Sequence, residues 1–393
     1  MPYKNRDEYD KTTDVSAETW AHIKKNHPHL PPITDITGVR REAFWRLPKG
    51  LEDVCVKTFL KDPRDAIMLS LILNILFTIV PLSILLFLYP SHWLGATTLA
   101  FKFFMWIQRF ILMMHYAEHR QLFKQPYHKF GKYLLNFVMC PFLGIPPGFY
   151  RLHHVVMHHI ENNVFEEDLS STEPYQRDNF FHFLIYFYRY WTHLYFLPMY
   201  AIRKERYELA ATAFFGSSVW FGSIFFGIKY YPIFTLYTLI IPALISGGAL
   251  MFGNFSQHIF VHPDVATMPQ DLKSNRFNCA LTLQSINHID NQYAFNDGYH
   301  ITHHINSRIH WTDMPAEFLK DLDKYAENGA VVFDGLGFFD VGVNVMLGNW
   351  DTLYEHYVHL GKHKRSKEEV IKDLKYRLIP IKRDNKVTNV KSQ

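Results

Sequence analysis

Residues 66–90, AIMLSLILNILFTIVPLSILLFLYP, run for 25 positions without a charged side chain. A bilayer core needs about 20 apolar residues in a helix, and in lipid every backbone N–H and C=O must find its partner inside the segment. The run therefore predicts a transmembrane helix, in which Pro81 is tolerable. The turn PSHWLG follows, with Trp93 at interface depth. LGATTLAFKFFMWIQRFILMM (94–114) then returns across the bilayer. Lys102 and Arg109 interrupt it, but seven residues is two helical turns, so both can face protein on one side. Two further runs, LAATAFFGSSVWFGSIFFGI (209–228) and PIFTLYTLIIPALISGGALMF (232–252), are joined by KYY and must form an antiparallel hairpin.

The two tight connections hold one basic residue, Lys229, whereas the first 65 residues hold a dozen. The positive-inside rule puts both termini in the cytosol. The opening MPYKNRDEYDKTTDV has no apolar h-region and does not read as a cleaved signal peptide. Two stretches are ambiguous. YLLNFVMCPFLGIPPGF (133–149) is broken by Pro141, Pro146 and Pro147. FFHFLIYFYRYWTHLYFLPMY (180–200) is aromatic yet carries His182, Arg189 and His193, and reads as an interfacial helix. The organisation expected is a cytosolic N-terminal segment (1–65), a membrane and catalytic region (66–320), and a cytosolic C-terminal segment (321–393) with a disordered tail after Pro380.

Forty-one basic and 37 acidic residues leave a net charge of +4, which gives no electrostatic case for nucleic acid. Cys55, Cys140 and Cys279 are odd in number and lack CxxC spacing, so they read as reduced structural thiols. Histidine is the anomaly, with 23 in 393 residues. His115 and His119 close the second run in HYAEHR. RLHHVVMHHIENN holds His153, His154, His158 and His159. His258 follows the fourth run in GNFSQHIF, and DGYHITHH holds His300, His303 and His304. Spacings of three and four put imidazoles on one helix face, about 40° apart at i,i+4. Neutral imidazole binds iron, copper and zinc. Nine such residues exceed the four of one structural zinc and suit two metals. A shared site requires all clusters on one side of the membrane, which favours four spans with 180–200 lying in the interface.

These residues resemble the integral-membrane fatty acid desaturases, a group that includes related hydroxylases, acetylenases, ketolases and sphingolipid desaturases. The resemblance covers roughly residues 66–315 and rests on three histidine boxes: His115/His119, His154/His158/His159 and His300/His303/His304. Asn254 and His258 fit the N-x3-H of the acyl-CoA stearoyl enzymes. The resemblance implies an all-α membrane protein, with four transmembrane helices in two hairpins and a helical cytosolic cap carrying a di-iron site. His115, His119, His154, His158, His159, His258, His300, His303 and His304 would be iron ligands, and Asn254 would reach the second iron through water. Two iron ions and O2 would desaturate a fatty acyl chain on a lipid, acyl-CoA or sphingolipid, in the endoplasmic reticulum with the site facing the cytosol. Hydroxylation, ketolation or acetylenation on the same scaffold, and a non-catalytic membrane scaffold, are the alternatives.

The chain departs from the stearoyl enzymes in places. Box two has three residues before its HH, where they have two, which leaves the register open between His153 and His154. Box one has three intervening residues, as in acyl-lipid and sphingolipid enzymes. His288, in INHIDN, has no counterpart. No HPGG haem motif occurs, so electrons would come from a separate cytochrome b5 or ferredoxin, and KHKRSK (362–367) would suit an acidic donor. Ligating imidazoles usually donate their second N–H to a carboxylate or carbonyl, and Glu118, Glu161, Asp168, Asp290 and Asp297 lie near the boxes.

Overall fold

The computed structural model describes residues 5–10, 14–36, 45–165, 167–269, 271 and 273–383. The tail expected to be disordered lies, from residue 384 on, outside the described residues. The chain is mostly helical and divides into two compact units. The first comprises Met1–Lys11, Val39–Met157 and Tyr190–Leu250; the second comprises Thr12–Gly38, His158–Arg189 and Met251–Gln393.

Among the described residues three helices are long and apolar enough to cross a membrane: Pro63–Leu88, Tyr207–Tyr230 and Pro232–Gln257. The fourth expected span, 94–114, is not one of these three. It lies in a helical run that links His92–Phe101, a π-helical stretch Lys102–Ile107 and Gln108–His119. Ser91 caps that run by accepting from the Leu94 N–H. Gly95 lets it approach the last hairpin closely: a β-carbon there would meet the Tyr237 ring at 2.3 Å.

The ambiguous stretch 133–149 resolves within the first unit as a helical segment that turns back on itself. The helical turns end at Phe142, the chain reverses through Leu143–Gly148, and helix resumes at Phe149. Gly144 and Gly148 take positive φ of 82° and 70°, conformations a side chain would strain. The turn is keyed into its neighbours. Pro147 O sits where a β-carbon on Gly216 would come within 1.9 Å, and the Ser246 hydroxyl donates to Leu143 O at 2.5 Å. Polar backbone is thus buried in protein at that depth and satisfied there.

In the second unit the expectation of an all-α fold needs one correction. Leu283–Ile286 and Val331–Asp334 pair as a two-stranded parallel sheet, Leu283 opposite Val331 and Ile286 opposite Asp334. Three of the four positions of the second strand, and all four of the first, are buried. That explains why neither shows the polar alternation of a half-exposed strand. The unit is tied at its C-terminal end by Arg177. Its buried guanidinium donates to the carbonyls of Ile259, Thr172, Arg377 and Ile379 at 2.8–3.1 Å. Burial pushes its pKa down to about 9.

Lys102 is wholly buried, and its Nζ has no hydrogen-bond partner among the described residues. A buried amine without a partner costs stability, and an apolar residue of similar volume removes that cost. Lys102→Met is expected to raise the thermal midpoint in detergent, a gain of about 1–4 kcal/mol. A lower midpoint would show that the amine meets a need these contacts do not reveal.

Candidate metal centre

Each unit carries its own histidine set. In the first, His115 and His119 lie one turn apart on Gln108–His119, and His154 comes from the helical run after the Gly148 turn. Their ligand nitrogens lie within 4.8 Å of one another. The His119 and His154 Nε2 atoms are 3.2 Å apart, and the His115 and His154 ring centroids 4.1 Å. His153 turns the other way, with its ring against His193 at 5.3 Å and Tyr190 at 6.1 Å. Of the two register choices in box two, His154 therefore joins the set. Glu118 is buried beside it, accepting from Asn136 Nδ2 at 2.5 Å and from Arg151 at 3.1 Å.

In the second unit His158, His258 and His304 form a fully buried trio, again with ligand nitrogens within 4.8 Å. His300 Nε2 lies 3.1 Å from His304 Nε2, and His303 Nε2 lies 3.1 Å from His159 Nε2. All six predicted histidines of this unit thus gather in close pairs or in the trio. Three of the second nitrogens are pinned. His158 Nδ1 donates to Asp168 Oδ2 at 2.7 Å, His304 Nδ1 to Asn162 Oδ1 at 3.0 Å, and His258 Nδ1 to Leu281 O at 3.2 Å. Those bonds fix each ring's tautomer and turn the Nε2 lone pair toward the neighbouring rings.

His258 shows the fit to a metal most directly. Its Nε2 is buried and has no hydrogen-bond partner among the described residues. Burial, helped by the nearby His158, pushes its pKa down to about 3, so the ring is neutral at physiological pH. A buried lone pair left open costs energy unless something accepts it. A metal cation with imidazole ligands fits that need.

Some positioning residues were not anticipated. Gln284, on the first strand, accepts from the Ile301 and Thr302 N–H groups at 3.1 and 3.3 Å and so caps the box-three helix His300–Ile305. Asp35, from the N-terminal segment, accepts from Tyr299 Oη at 2.7 Å, Asn287 N at 2.6 Å and Asn291 Nδ2 at 3.0 Å. Tyr299 is the N-cap of that helix. Asn162 is readable only as a turn signal, since it and Asn163 take positive φ of 50° and 63°. Of the five candidate carboxylates, Asp168 meets a box histidine, and its pKa is held well below the usual range by His158 and Ser170 against the cost of burial. Asp297 accepts from Gln257 Nε2 at 2.6 Å, and burial lifts its pKa to about 7. Asn254 donates from Nδ2 to Tyr186 Oη at 2.7 Å and Ser170 O at 3.1 Å.

The model of the fatty acid desaturase family matches residues 71–335. The chain belongs to the fatty acid desaturase family. No match was found among curated proteins or among solved structures. Membership makes the chain an oxidoreductase of lipid metabolism, and its apolar helices make it a membrane protein. Its histidine groups are suited to a metal.

Two further histidine groupings of the chain do other work. His22, His27 and Asp323 meet near the surface, with both Nε2 atoms 2.8 Å from the carboxylate. The Gly361 N–H donates to His27 Nδ1 at 3.0 Å, which leaves the His27 proton on Nε2, facing Asp323. This cluster is a hydrogen-bonded tie, since the nitrogen facing the carboxylate is protonated. His288 stands at the N-cap of Ile289–Tyr293 and pairs with Asp340 at 3.1 Å through Nε2. Its role here is structural.

Two predictions concern these groups. Asp168→Asn should weaken metal binding by about 10–100-fold in chelator competition, because His158 loses its anchor. In the same assay His154→Ala should lower the metal content and His153→Ala should leave it unchanged; a loss in the His153 variant alone would reverse the register. The second concerns pH. The hydrogen bond to Asp340 raises the His288 pKa above its ordinary 6.5, and that bond holds Asp340 below 3.8. The His288 contribution is complete below 6.5 and lost as pH rises through its raised folded value. The Asp340 contribution is present above 3.8 and lost as pH falls through its depressed value. The tie is thus strongest between these limits and, being partly exposed, is worth at most about 1 kcal/mol. Amide exchange over 286–290 should speed up as pH rises from about 6 to 8, beyond the intrinsic rate, and Asp340→Asn should abolish that excess. An identical pH profile in the variant would refute the coupling.

Proposed function

We propose that the nine box and N-x3-H histidines hold two iron ions, and that the protein desaturates a fatty acyl chain using O2. The observation that carries the reading is the buried Nε2 of His258, which has no hydrogen-bond partner among the described residues and lies where the resemblance to the family implies a ligand. When bound, two iron ions with O2 supply the one-electron chemistry that removes hydrogen atoms from an unactivated methylene, which no side chain here can do. His258 presents a neutral Nε2, and Asp168, Asn162 and the Leu281 carbonyl hold the second nitrogens of His158, His304 and His258. Asn254 lies one helical turn before His258 and would reach the second iron through water.

The stoichiometry sets the partners. Two hydrogens leave the acyl chain, two electrons and two protons arrive from outside, and both oxygen atoms leave as water. The electrons would come from a separate cytochrome b5 or ferredoxin, with Lys362–Lys367 as its basic contact. The substrate is an acyl chain carried on a membrane lipid, an acyl-CoA or a sphingolipid. Four spans in two hairpins put the histidine boxes and both termini on the cytosolic side, with 180–200 in the interface and the protein in the endoplasmic reticulum.

Expression in a host followed by lipid mass spectrometry, with double bonds located by derivatisation, tests this. New unsaturated species are expected, absent when His303→Ala is expressed at an equal level in membranes. Products that gain oxygen instead would select hydroxylation. Unchanged activity in the His303 variant would remove the ligand assignment. The active preparation should hold about two irons per chain, the number nine imidazoles suit; activity with zinc alone would end the mechanism.

A further inference from the structure

We propose that the helix Phe338–Leu347 is seated in the membrane surface, its outer face covered by the lipid of one leaflet. The inference rests on reading Pro232–Gln257 as a span.

The helix FFDVGVNVML is apolar nearly all round. Phe338, Val341, Gly342 and Val345 are buried within the second unit. The opposite face holds Val343 and Leu347, one turn apart, which are 45% and 69% exposed. A helix apolar on both faces is covered on both in its native setting. Only Asp340 and Asn344 form a polar stripe, and Asp340 is already engaged by His288.

The inner contacts set its depth. Gly342 lies against Ser256, and Phe338 and Phe339 lie against Gly253. The Phe339 ring is 5.7 Å from that of Phe252, which is 5.3 Å from that of Phe183. Residues 252–256 are the last turns of the 26-residue helix Pro232–Gln257. At 1.5 Å per residue that helix is about 39 Å long, against about 30 Å of hydrocarbon core. With Tyr230 and Tyr231 marking its far end, its last six or so residues reach the headgroups of the other leaflet. The helix packed on them lies at that level. Two neighbours carry the same character. Phe180, Phe181, Ile185 and Tyr188, on the helix that bears Phe183, are all more than half exposed. Trp350 follows the helix with the Lys375 ammonium 4.9 Å from its ring, a pairing suited to a headgroup layer. An apolar face on a helix packed against the end of a span, followed by tryptophan and lysine, fits a lipid surface.

The test uses the full chain in phosphatidylcholine nanodiscs, with Cys55 changed to serine so that the remaining native thiols, Cys140 and Cys279, are buried. A nitroxide is placed at Val343→Cys or Leu347→Cys, with Lys362→Cys as the aqueous reference and Phe77→Cys, 65% exposed on Ala66–Leu88, as the lipid reference. Collision with oxygen, relative to a water-soluble nickel chelate, should be several-fold higher at Val343 and Leu347 than at Lys362, and below that at Phe77, which lies mid-way along its span. Nickel access equal to that at Lys362 would overturn the proposal. So would shielding from both agents, which would mean that protein, a partner or a second copy, covers the face. A water-like signal at Phe77 would instead remove the span reading on which the proposal rests.

Discussion

A buried imidazole offers its lone pair in a fixed direction when its other nitrogen is hydrogen-bonded, because that bond sets the tautomer and the ring's orientation. The second unit meets that condition at three of its box histidines. Asp168, Asn162 and the Leu281 carbonyl each take one Nδ1–H. Burial does the rest by keeping His258 neutral far below physiological pH. The polar segment after box two, DLSSTEPYQRD, thereby acquires a purpose. Asp168 holds a histidine, Ser170 donates to Asp168 at 2.7 Å, and Arg177 gathers backbone carbonyls that would otherwise be buried without partners.

The same demand explains why the polar ends of the chain are folded into the unit. Box three sits on a helix of six residues, too short to hold its own ends. Gln284 caps its first N–H groups from a buried strand, and Asp35 grips Tyr299 at its N-cap from more than 260 positions earlier in the chain. The strand is held in place by parallel pairing with Val331–Asp334, so the C-terminal segment supports box three as well. Residues far from any histidine box are part of how the boxes are presented.

The membrane-embedded elements answer to a different rule, that no backbone group stays unpaired in lipid. The turn Leu143–Gly148 obeys it where Leu143 O accepts from the Ser246 hydroxyl and the Gly148 N–H donates to Asn136 O. That turn returns the chain so that His154 meets His115 and His119. The reversal and the histidine grouping are therefore joined in one short stretch of sequence, and its three prolines help to stop the helix where the reversal occurs.

Much of this was legible in residue order alone. Uncharged runs longer than a bilayer is thick leave little choice but a membrane helix, and three of the four expected runs are such helices. Histidines at spacings of three and four announce a shared face, because the helical period is fixed by covalent geometry. What the sequence could not decide was which of His153 and His154 turns toward the other boxes, since one residue on a helix is a rotation of about 100° and only the neighbours set its phase. Nor could it reveal that Asp35, Asn162 and Gln284 serve box residues, or that two short buried strands pair in parallel. Those contacts join residues distant along the chain, and no local periodicity records them. The sequence determined, through helical period and hydrophobic length, that this is a membrane protein with clustered imidazoles. Tertiary packing alone decided which nitrogens are held by a partner and which imidazoles are brought together into groups suited to a metal.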